Sequence, residues 1–299
     1  MASVKELRIR IKSVGNIKQI TRAMEMVSTT KLRRFQDRAV ASRPYAEEIA
    51  NLVQHLAGVL GDEALDQPLF QPGAGEKTAL LVVSSDRGLC GAYNSNLFHK
   101  LEDWLKVHCA EHEIEESQVD FFVYGRKANQ YLRKRKLTIA KYITEPALES
   151  IDFAAAARVA RSLVDVFASG QYREVKILYT AFQSMVRYTP TFADFLPVAP
   201  PSADSEQSGT DKSDGDMILE PDAKSIFEHL VPRYLETRIF NALLESLTSE
   251  YASRRFSMKN ATDAATDMQK ALKGQYNRLR QENITKELLD IVGGAEAVK

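Results

Sequence analysis

Apolar residues near the start of the chain recur every three or four positions, which places them on one stripe of an α-helix. Pro44 is the only proline between residues 4 and 60, so the pattern predicts one N-terminal helix over residues 1–60. At the usual helical rise this helix would be roughly 85 Å long, and with a single apolar stripe it must lie along a partner. The stripe comprises Leu7, Ile11, Val14, Ile17, Ile20, Met24 and Val27.

A matching pattern ends the chain. Pro221 and Asp222 predict a helix start, Pro232 predicts a restart or a kink, and apolar residues then recur at three-to-four spacing with phase slips. The spacing continues through "ITKELLDIVGG" (284–294), and the predicted length from Pro232 onward is about 97 Å. Two long helices with one apolar stripe each indicate an antiparallel coiled coil. A compact bundle is disfavoured because these segments offer too few apolar faces.

The middle of the chain has a different pattern, in which short β-rich runs alternate with helical stretches. This alternation predicts a small α/β, Rossmann-like domain with a largely parallel sheet. A segment rich in Pro, Ser, Asp and Gly follows it and predicts a mobile acidic loop. The predicted strands are 78–86, 119–125, 137–143 and 174–182, and the predicted helices are 94–108, 126–135 and 152–170. The predicted domains are 1–60 (N-terminal helix), 76–196 (α/β domain), 197–220 (loop) and 221–299 (C-terminal helix).

Charge is unevenly distributed in a chain that is neutral overall, with 40 Lys and Arg against 40 Asp and Glu. From Lys5 to Arg43 there are eleven basic residues and three acids, which indicates an acidic partner for the N-terminal helix. Two cysteines, Cys90 and Cys109, give no disulfide framework and suit a reducing compartment. No apolar run reaches the roughly 18 residues that a transmembrane helix needs, so no membrane span is expected.

Two glycine-containing segments resemble nucleotide-binding motifs only in part. "PGAGEKT" (72–78) lacks the first glycine of a P-loop, and a strand follows it where a helix should, so a surface turn is favoured. "VYGRKA" (123–128) lies between a strand and a helix but has a single glycine, which favours a plain turn over a dinucleotide site.

Two further segments suggest metal or thiol chemistry. "HCAEH" (108–112) places two histidines one turn apart without further ligands, so a solvated helix face is favoured over a metal site. In "SSDRGLCGAYN" (84–94), Cys90 has no histidine near it in sequence, which argues against a catalytic thiol. We expect Gly88 and Gly91 to form a tight turn there against the neighbouring coil. No catalytic residue, cofactor site or metal site is therefore predicted.

Three segments resemble the γ subunit family of the F-type ATP synthases: "IKSVGNIKQITRAMEMVSTTKLRR" (11–34), "DRGLCGAYNSNL" (86–97) and residues 257–298. The resemblance covers essentially the whole chain. It implies a non-catalytic central rotor stalk that couples proton-driven rotation of a c-subunit ring to the catalytic β subunits. The partners that it implies are the hexamer of α and β subunits, the ε subunit and the c ring, with no nucleic acid. It also implies a peripheral location on the cytoplasmic face of a bacterial inner membrane.

The resemblance also implies partner-binding residues. Met24 matches a position that faces an acidic helix-turn-helix of a β subunit, and nearby basic residues suit that surface. Three C-terminal residues match positions that hydrogen-bond a catch loop of a β subunit, and one acid matches a position near the polar loops of the c ring. The basic residues are Arg22, Lys31, Arg33 and Arg34, the catch-loop residues are Arg280, Gln281 and Thr285, and the acid is Glu220.

The chain departs from the family pattern at Arg255, where methionine is usual, and at Ala264, where asparagine is common. Two other function classes stay open at this point. A basic adaptor or nucleic-acid-binding protein would use the N-terminal helix, but Phe35 is the only aromatic residue among residues 1–44, so base stacking has little support. An enzyme that uses the α/β domain would require a ligand bound by the isolated chain.

Overall fold

The computed structural model describes residues 3–112, 115–198, 220 and 222–297, so most of the predicted loop at 197–220 lies outside the described residues. The contacts divide the chain into two units. The first unit joins Met1–Thr30 to Arg254–Lys299, and the second spans Lys31–Ser253. Two long helices, α1 (Val4–Leu60) and α6 (Ala223–Ala297), contribute to both units. Pro232 lies inside α6, which continues through it.

The first unit is an antiparallel pair of helices. Its direction follows from two contacts: Thr262 Oγ1 donates to Thr21 Oγ1 at 2.8 Å, and Gly15 lies against Gln269, seven positions further along α6. Buried positions on α1 repeat every seven residues, as in a coiled coil, and those on α6 follow a three-to-four spacing. The buried residues are Leu7, Val14, Thr21 and Ser28 on α1, and Arg254, Met258, Thr262 and Ala265 on α6.

Only part of the predicted apolar stripe of α1 is buried in the helix pair. Leu7 and Val14 are buried, but Ile17, Ile20 and Val27 are 52, 60 and 56 % exposed. Steps of three and four describe a broad arc of a helix, whereas the seam of a coiled coil follows a strict seven-residue repeat. Thr21 and Ser28 continue that repeat and are the buried residues instead. Ile11 and Met24 are half-buried, and only Ile17, Ile20 and Val27 of the stripe face outward.

The second unit contains a five-stranded sheet in the order β3-β2-β1-β4-β5. Three strand pairs are parallel, and β4 pairs with β5 in the antiparallel direction. The four predicted strands are present, but the fifth was not predicted. Pro190 lies inside β5, and proline is tolerated there because β5 is an edge strand. The strands are β1 (Lys77–Val83), β2 (Val119–Tyr124), β3 (Ile139–Ile143), β4 (Tyr172–Phe182) and β5 (Tyr188–Leu196).

Helices cover both faces of this sheet, so its central strands are continuous apolar runs. In β1, Leu81 and Val83 point into a core shared with α1, α5 and α6, while Leu80 and Val82 point into a core shared with α3 and α4. All four are fully buried. The shorter helices are α2 (Asp62–Leu65), α3 (Tyr93–His112), α4 (Arg126–Lys134) and α5 (Phe153–Ala168), and 3₁₀ turns occupy Glu116–Gln118 and Leu148–Ser150.

The glycines of the incomplete P-loop serve backbone packing. A Cβ atom on Gly73 would lie 2.0 Å from the Tyr172 carbonyl oxygen, and one on Gly75 would lie 2.1 Å from the backbone of Gln171. The Gly73 amide donates to the Arg173 carbonyl at 3.0 Å. The segment is therefore held against the start of β4, which accounts for its glycines without a bound phosphate.

Candidate functional site

The end of α6 presents apolar side chains that no described part of the chain covers. Every residue from Gln281 to Gly294 is exposed. The apolar positions in this range keep helical spacing, so they form a continuous stripe. A contiguous exposed apolar surface of this kind usually marks a site of protein association. The stripe, called the tip stripe below, comprises Ile284, Leu288, Leu289, Ile291 and Val292, which are 48, 57, 66, 68 and 58 % exposed.

A basic groove lies along the first unit. It is lined by Arg8, Lys12, Lys18 and Arg22 from α1 and by Lys273 from α6. Gln19, Asn16 and Gln269 contribute its neutral polar groups, and no acid lines it among the described residues. Clustered positive charge of this kind attracts an acidic surface and raises the rate of encounter with it.

The residues predicted to bind partners are mostly exposed. Met24 is half-buried, and seven others are open to solvent, where a partner could reach them. Thr285 Oγ1 donates to the Gln281 carbonyl at 2.9 Å within α6. The ninth, Lys31, is half-buried. The seven exposed residues are Arg22, Arg33, Arg34, Glu220, Arg280, Gln281 and Thr285.

Lys31 is engaged within the second unit. Its Nζ lies 2.6 Å from Glu149 Oε2 and 3.3 Å from the Tyr251 hydroxyl, which donates to the other oxygen of Glu149. Burial raises the pKa of Glu149, but hydrogen bonds from Lys31 and Tyr251 and the positive charges of Lys31 and Arg87 all lower it, and the pKa lies below its usual range. The structure thus gives Lys31 an internal role that the sequence did not indicate.

This arrangement predicts a pH dependence. Because the pKa of Glu149 is lower in the folded state than its ordinary value of 4.5, the ionised carboxylate stabilises the fold at pH values above 4.5. This stabilisation is lost as the pH falls through the native pKa. We expect Glu149→Gln to lower the urea midpoint of the second unit at neutral pH and to have little effect under strongly acidic conditions. An equal effect at both pH values would contradict the assignment.

The crevice where a sheet of this type usually binds nucleotides is occupied by α6. The chain passes from β1 to β2 on one side of β1, and β4 pairs with its other side, so the strand order reverses there and the ligand crevice would lie at the carboxyl ends of β1 and β4. Here Ser249 Oγ donates to the Thr180 carbonyl at 3.1 Å, and the Tyr93 hydroxyl lies 2.7 Å from Ser246 Oγ. Burial raises the pKa of Tyr93 and keeps its hydroxyl protonated. A helix of the chain itself therefore takes the place of a ligand.

The first amides of α4, which could otherwise bind a phosphate, donate to groups of the chain. Arg126 N donates to Asp86 Oδ1 at 3.0 Å, and Ala128 N donates to Ser84 Oγ at 2.8 Å. The Lys127 amide donates to the Ser85 carbonyl at 3.0 Å. A carboxylate therefore lies where a dinucleotide-binding fold would place a pyrophosphate. The geometry agrees with the plain turn favoured from the sequence.

The turn that follows β1 differs from its prediction. Gly91 has a left-handed φ of 56°, but the second left-handed residue is Leu89, with a φ of 63°, and not Gly88. The predicted packing against the coil is present, since Ser253 Oγ of α6 donates to the Cys90 carbonyl at 2.6 Å. The Cys90 thiol is buried, with Ser85 Oγ and Asn94 Nδ2 beside it. Both of these neighbours are neutral groups.

The prediction that "HCAEH" is a solvated face was wrong for His108, which is 4 % exposed. Its ring stacks on Trp104, and its Nε2 lies 3.1 Å from Thr78 Oγ1. The sequence did not reveal this because β1 and α3 meet only in the folded domain.

No group of three or more His, Cys, Asp or Glu able to hold a metal occurs in the part of the chain that the structure describes. No helix among these residues is long and apolar enough to span a bilayer.

Comparison with known sequences gives matches over the whole chain. A family model described as ATP synthase matches residues 3–298. An ATP synthase gamma chain of Geobacter metallireducens is 36% identical over 299 residues and is covered completely, as is this chain. Another, from Desulfosudis oleivorans, is 40% identical over 307 residues, again with 100% of both chains covered.

Comparison with solved structures agrees on the fold. A chain of the Euglena gracilis mitochondrial ATP synthase rotor matches with a TM-score of 0.61 at 18% identity, over 94% of this chain and 98% of that chain. A chain of the Tetrahymena thermophila mitochondrial ATP synthase central stalk and c-ring structure matches with a TM-score of 0.57 at 22% identity. That match covers 81% of this chain and 99% of the other. Both solved chains therefore share the architecture described above.

Proposed function

We propose a rotary coupling role for this chain, because it belongs to the ATP synthase gamma chain family. In this role, proton flow turns a ring of c subunits and the chain turns with the ring. Its asymmetric surface then contacts the three β subunits of an α/β hexamer differently at each angle. Each β subunit is thereby driven through states of different nucleotide affinity, which is allosteric coupling by differential contact.

The observation that carries this proposal is the tip stripe at the end of α6. Five large apolar side chains remain about half or more exposed there, so an external surface must bury them if they are to contribute free energy. An apolar sleeve at the centre of the hexamer would provide such a surface. The exposed basic residues of α1 suit the acidic β-subunit surface. We assign all nine predicted residues to partner contacts, and Lys31 makes its internal contact as well.

The partners proposed are the hexamer of α and β subunits, the ε subunit and the c ring. Support comes from the similar solved chains, whose structures are described as a rotor and as a central stalk with a c-ring. Glu220 is exposed, as a contact with the c ring requires. The full-length bacterial relatives support a peripheral position on the cytoplasmic face of a bacterial inner membrane.

We also propose that the chain supplies no catalytic group to ATP synthesis or hydrolysis. The filling of the crevice by α6 and the capping of α4 by Asp86 support this part of the proposal. The β subunits would then carry the chemistry, and the chain would determine only which conformation each of them adopts.

A pair of charge substitutions on α6 tests the proposal. Ile291→Glu places a carboxylate in the tip stripe, whereas Lys286→Glu places one at an exposed polar position and changes the charge by two units instead of one. Burying an unpaired charge is unfavourable, so we expect Ile291→Glu to weaken retention in a purified complex with α and β subunits by about tenfold or more. Lys286→Glu should have a much smaller effect.

Equal retention of both variants would contradict burial of the tip stripe by the hexamer. Failure of the unaltered chain to assemble with α and β subunits would contradict the proposal as a whole. In that case a steep salt dependence of binding to nucleic acid would instead favour a basic adaptor.

A further inference from the structure

Residues 146–151, called the bridge segment below, connect the sheet to both long helices within the second unit. The Tyr124 hydroxyl at the end of β2 donates to the Pro146 carbonyl at 2.6 Å. Leu148 and Ile151 are 2 and 1 % exposed and belong to the core that α1 and α6 share with the sheet. The segment is thus attached to β2 by a hydrogen bond at one end, and its apolar side chains pack into the core that α1, α6 and the sheet share.

One residue of the bridge segment, Glu149, makes polar contacts with both α1 and α6. Glu149 accepts hydrogen bonds from Lys31 of α1 and from Tyr251 of α6, one on each carboxylate oxygen. The Tyr251 ring also packs on Phe35 of α1, with ring centroids 5.3 Å apart, and lies 5.5 Å from Lys31 Nζ. One carboxylate therefore holds both helices through charge-assisted bonds, which are stronger than neutral ones.

A second contact reinforces the attachment to α1. Arg38 Nη2 donates to the Ile151 carbonyl at 2.6 Å, two turns further along α1 than Lys31. Two points of attachment along one helix resist rotation of the bridge segment about that helix better than one point does. Lys31 is also the first residue of the second unit, and Tyr251 lies two residues before its last, Ser253. The contacts thus lie where both helices leave the unit.

We propose that Lys31, Glu149 and Tyr251 form a torque-bearing joint that fixes the sheet of the second unit to α1 and α6. These are positioning residues, and the inference rests on the proposed rotary function. Torque received by the part of the second unit that contains the five strands, called the sheet-bearing part below, would pass through the joint into the two helices. Lys31 would then act mainly within the chain, and its contact with a partner would be secondary.

The chain contains a matched control for this joint. Glu102 of α3 also accepts from a tyrosine hydroxyl and a basic side chain, namely Tyr131 and Arg135 Nη1, the latter at 2.5 Å. Those contacts stay within the sheet-bearing part and involve neither α1 nor α6. Glu102→Ala therefore removes the same kind of hydrogen bonds without affecting the joint.

The test compares Glu149→Ala, Tyr251→Phe and Glu102→Ala in the complex with α and β subunits. Hydrogen exchange would be followed at the Ser150 and Ile151 amides, which donate to Ala147 and Leu148 carbonyls. Loss of charge-assisted bonds should speed their exchange about tenfold or more in Glu149→Ala, and Tyr251→Phe should act in the same direction. A bead attached to the sheet-bearing part of the nucleotide-free complex should show greater angular variance in both variants. Glu102→Ala should change neither measurement.

Unchanged exchange and unchanged angular variance in Glu149→Ala and Tyr251→Phe would overturn the joint. So would an equal increase in angular variance in Glu102→Ala, because a general loss of stability would then explain the result. Neither measurement requires the complex to turn over ATP. A complex with an intact joint that fails to rotate would contradict the proposed function alone.

Discussion

Replacing Leu247 with alanine is expected to lower the free energy of unfolding of the second unit by about 2–5 kcal/mol. Leu247 lies on α6, is fully buried, and belongs to the core that α6 shares with the sheet. Truncating its side chain removes packing from both elements and leaves a cavity. Urea unfolding followed by the fluorescence of Trp104, the only tryptophan and part of α3 in the second unit, would measure the change.

Leu289→Ala provides the control for this prediction. It makes the same chemical change on the same helix, but Leu289 is 66 % exposed. We expect it to alter the stability of the isolated chain by less than about 0.5 kcal/mol. A small effect of Leu247→Ala, similar to that of Leu289→Ala, would show that α6 is not an integral part of the core of the α/β domain.

Ending the chain after Asn283 should leave the isolated protein folded and weaken its retention by the hexamer at least about 100-fold, which corresponds to about 2.7 kcal/mol. The truncation removes the whole tip stripe, whose side chains are exposed in the isolated chain and contribute little to its stability. In the complex, each of them buried in an apolar sleeve would contribute free energy, reduced by the cost of ordering the interface.

The measurement is the dissociation rate of the truncated chain from the complex, together with the torque in a rotation assay. Far-ultraviolet circular dichroism of the isolated truncated chain would verify that the rest of α6 stays helical. Full retention and unchanged torque would contradict the role proposed for the tip stripe. A truncation that lowers the helical content of the isolated chain but changes neither its retention nor the torque would contradict it as well.

Much of the fold follows from patterns in the sequence. The two long helices were predicted because proline is scarce and the apolar spacing is regular, and four strands were predicted because buried parallel strands are continuous apolar runs. The fifth strand, β5, was missed because Pro190 and its polar residues resemble a loop. Its position at the edge of the sheet, which only the fold establishes, is what permits that composition.

The candidate site was predictable to a smaller degree. The end of α6 was expected to lack a covering surface, and Arg280 and Gln281 are exposed there, but their contact with a partner stays a prediction. The internal role of Lys31 was not predictable, because Glu149 and Tyr251 are 118 and 220 residues away in sequence. The burial of His108 was missed for the same reason, since its contact with Thr78 depends on how α3 packs on β1.

The most direct test of the rotary proposal is single-molecule observation of the complex with α and β subunits, fixed through the hexamer and with a bead on the α/β domain of this chain. The proposal predicts stepwise rotation in one direction that requires ATP and stops when ATP is removed. A complex that hydrolyses ATP at a normal rate while the bead shows no directed rotation would contradict it.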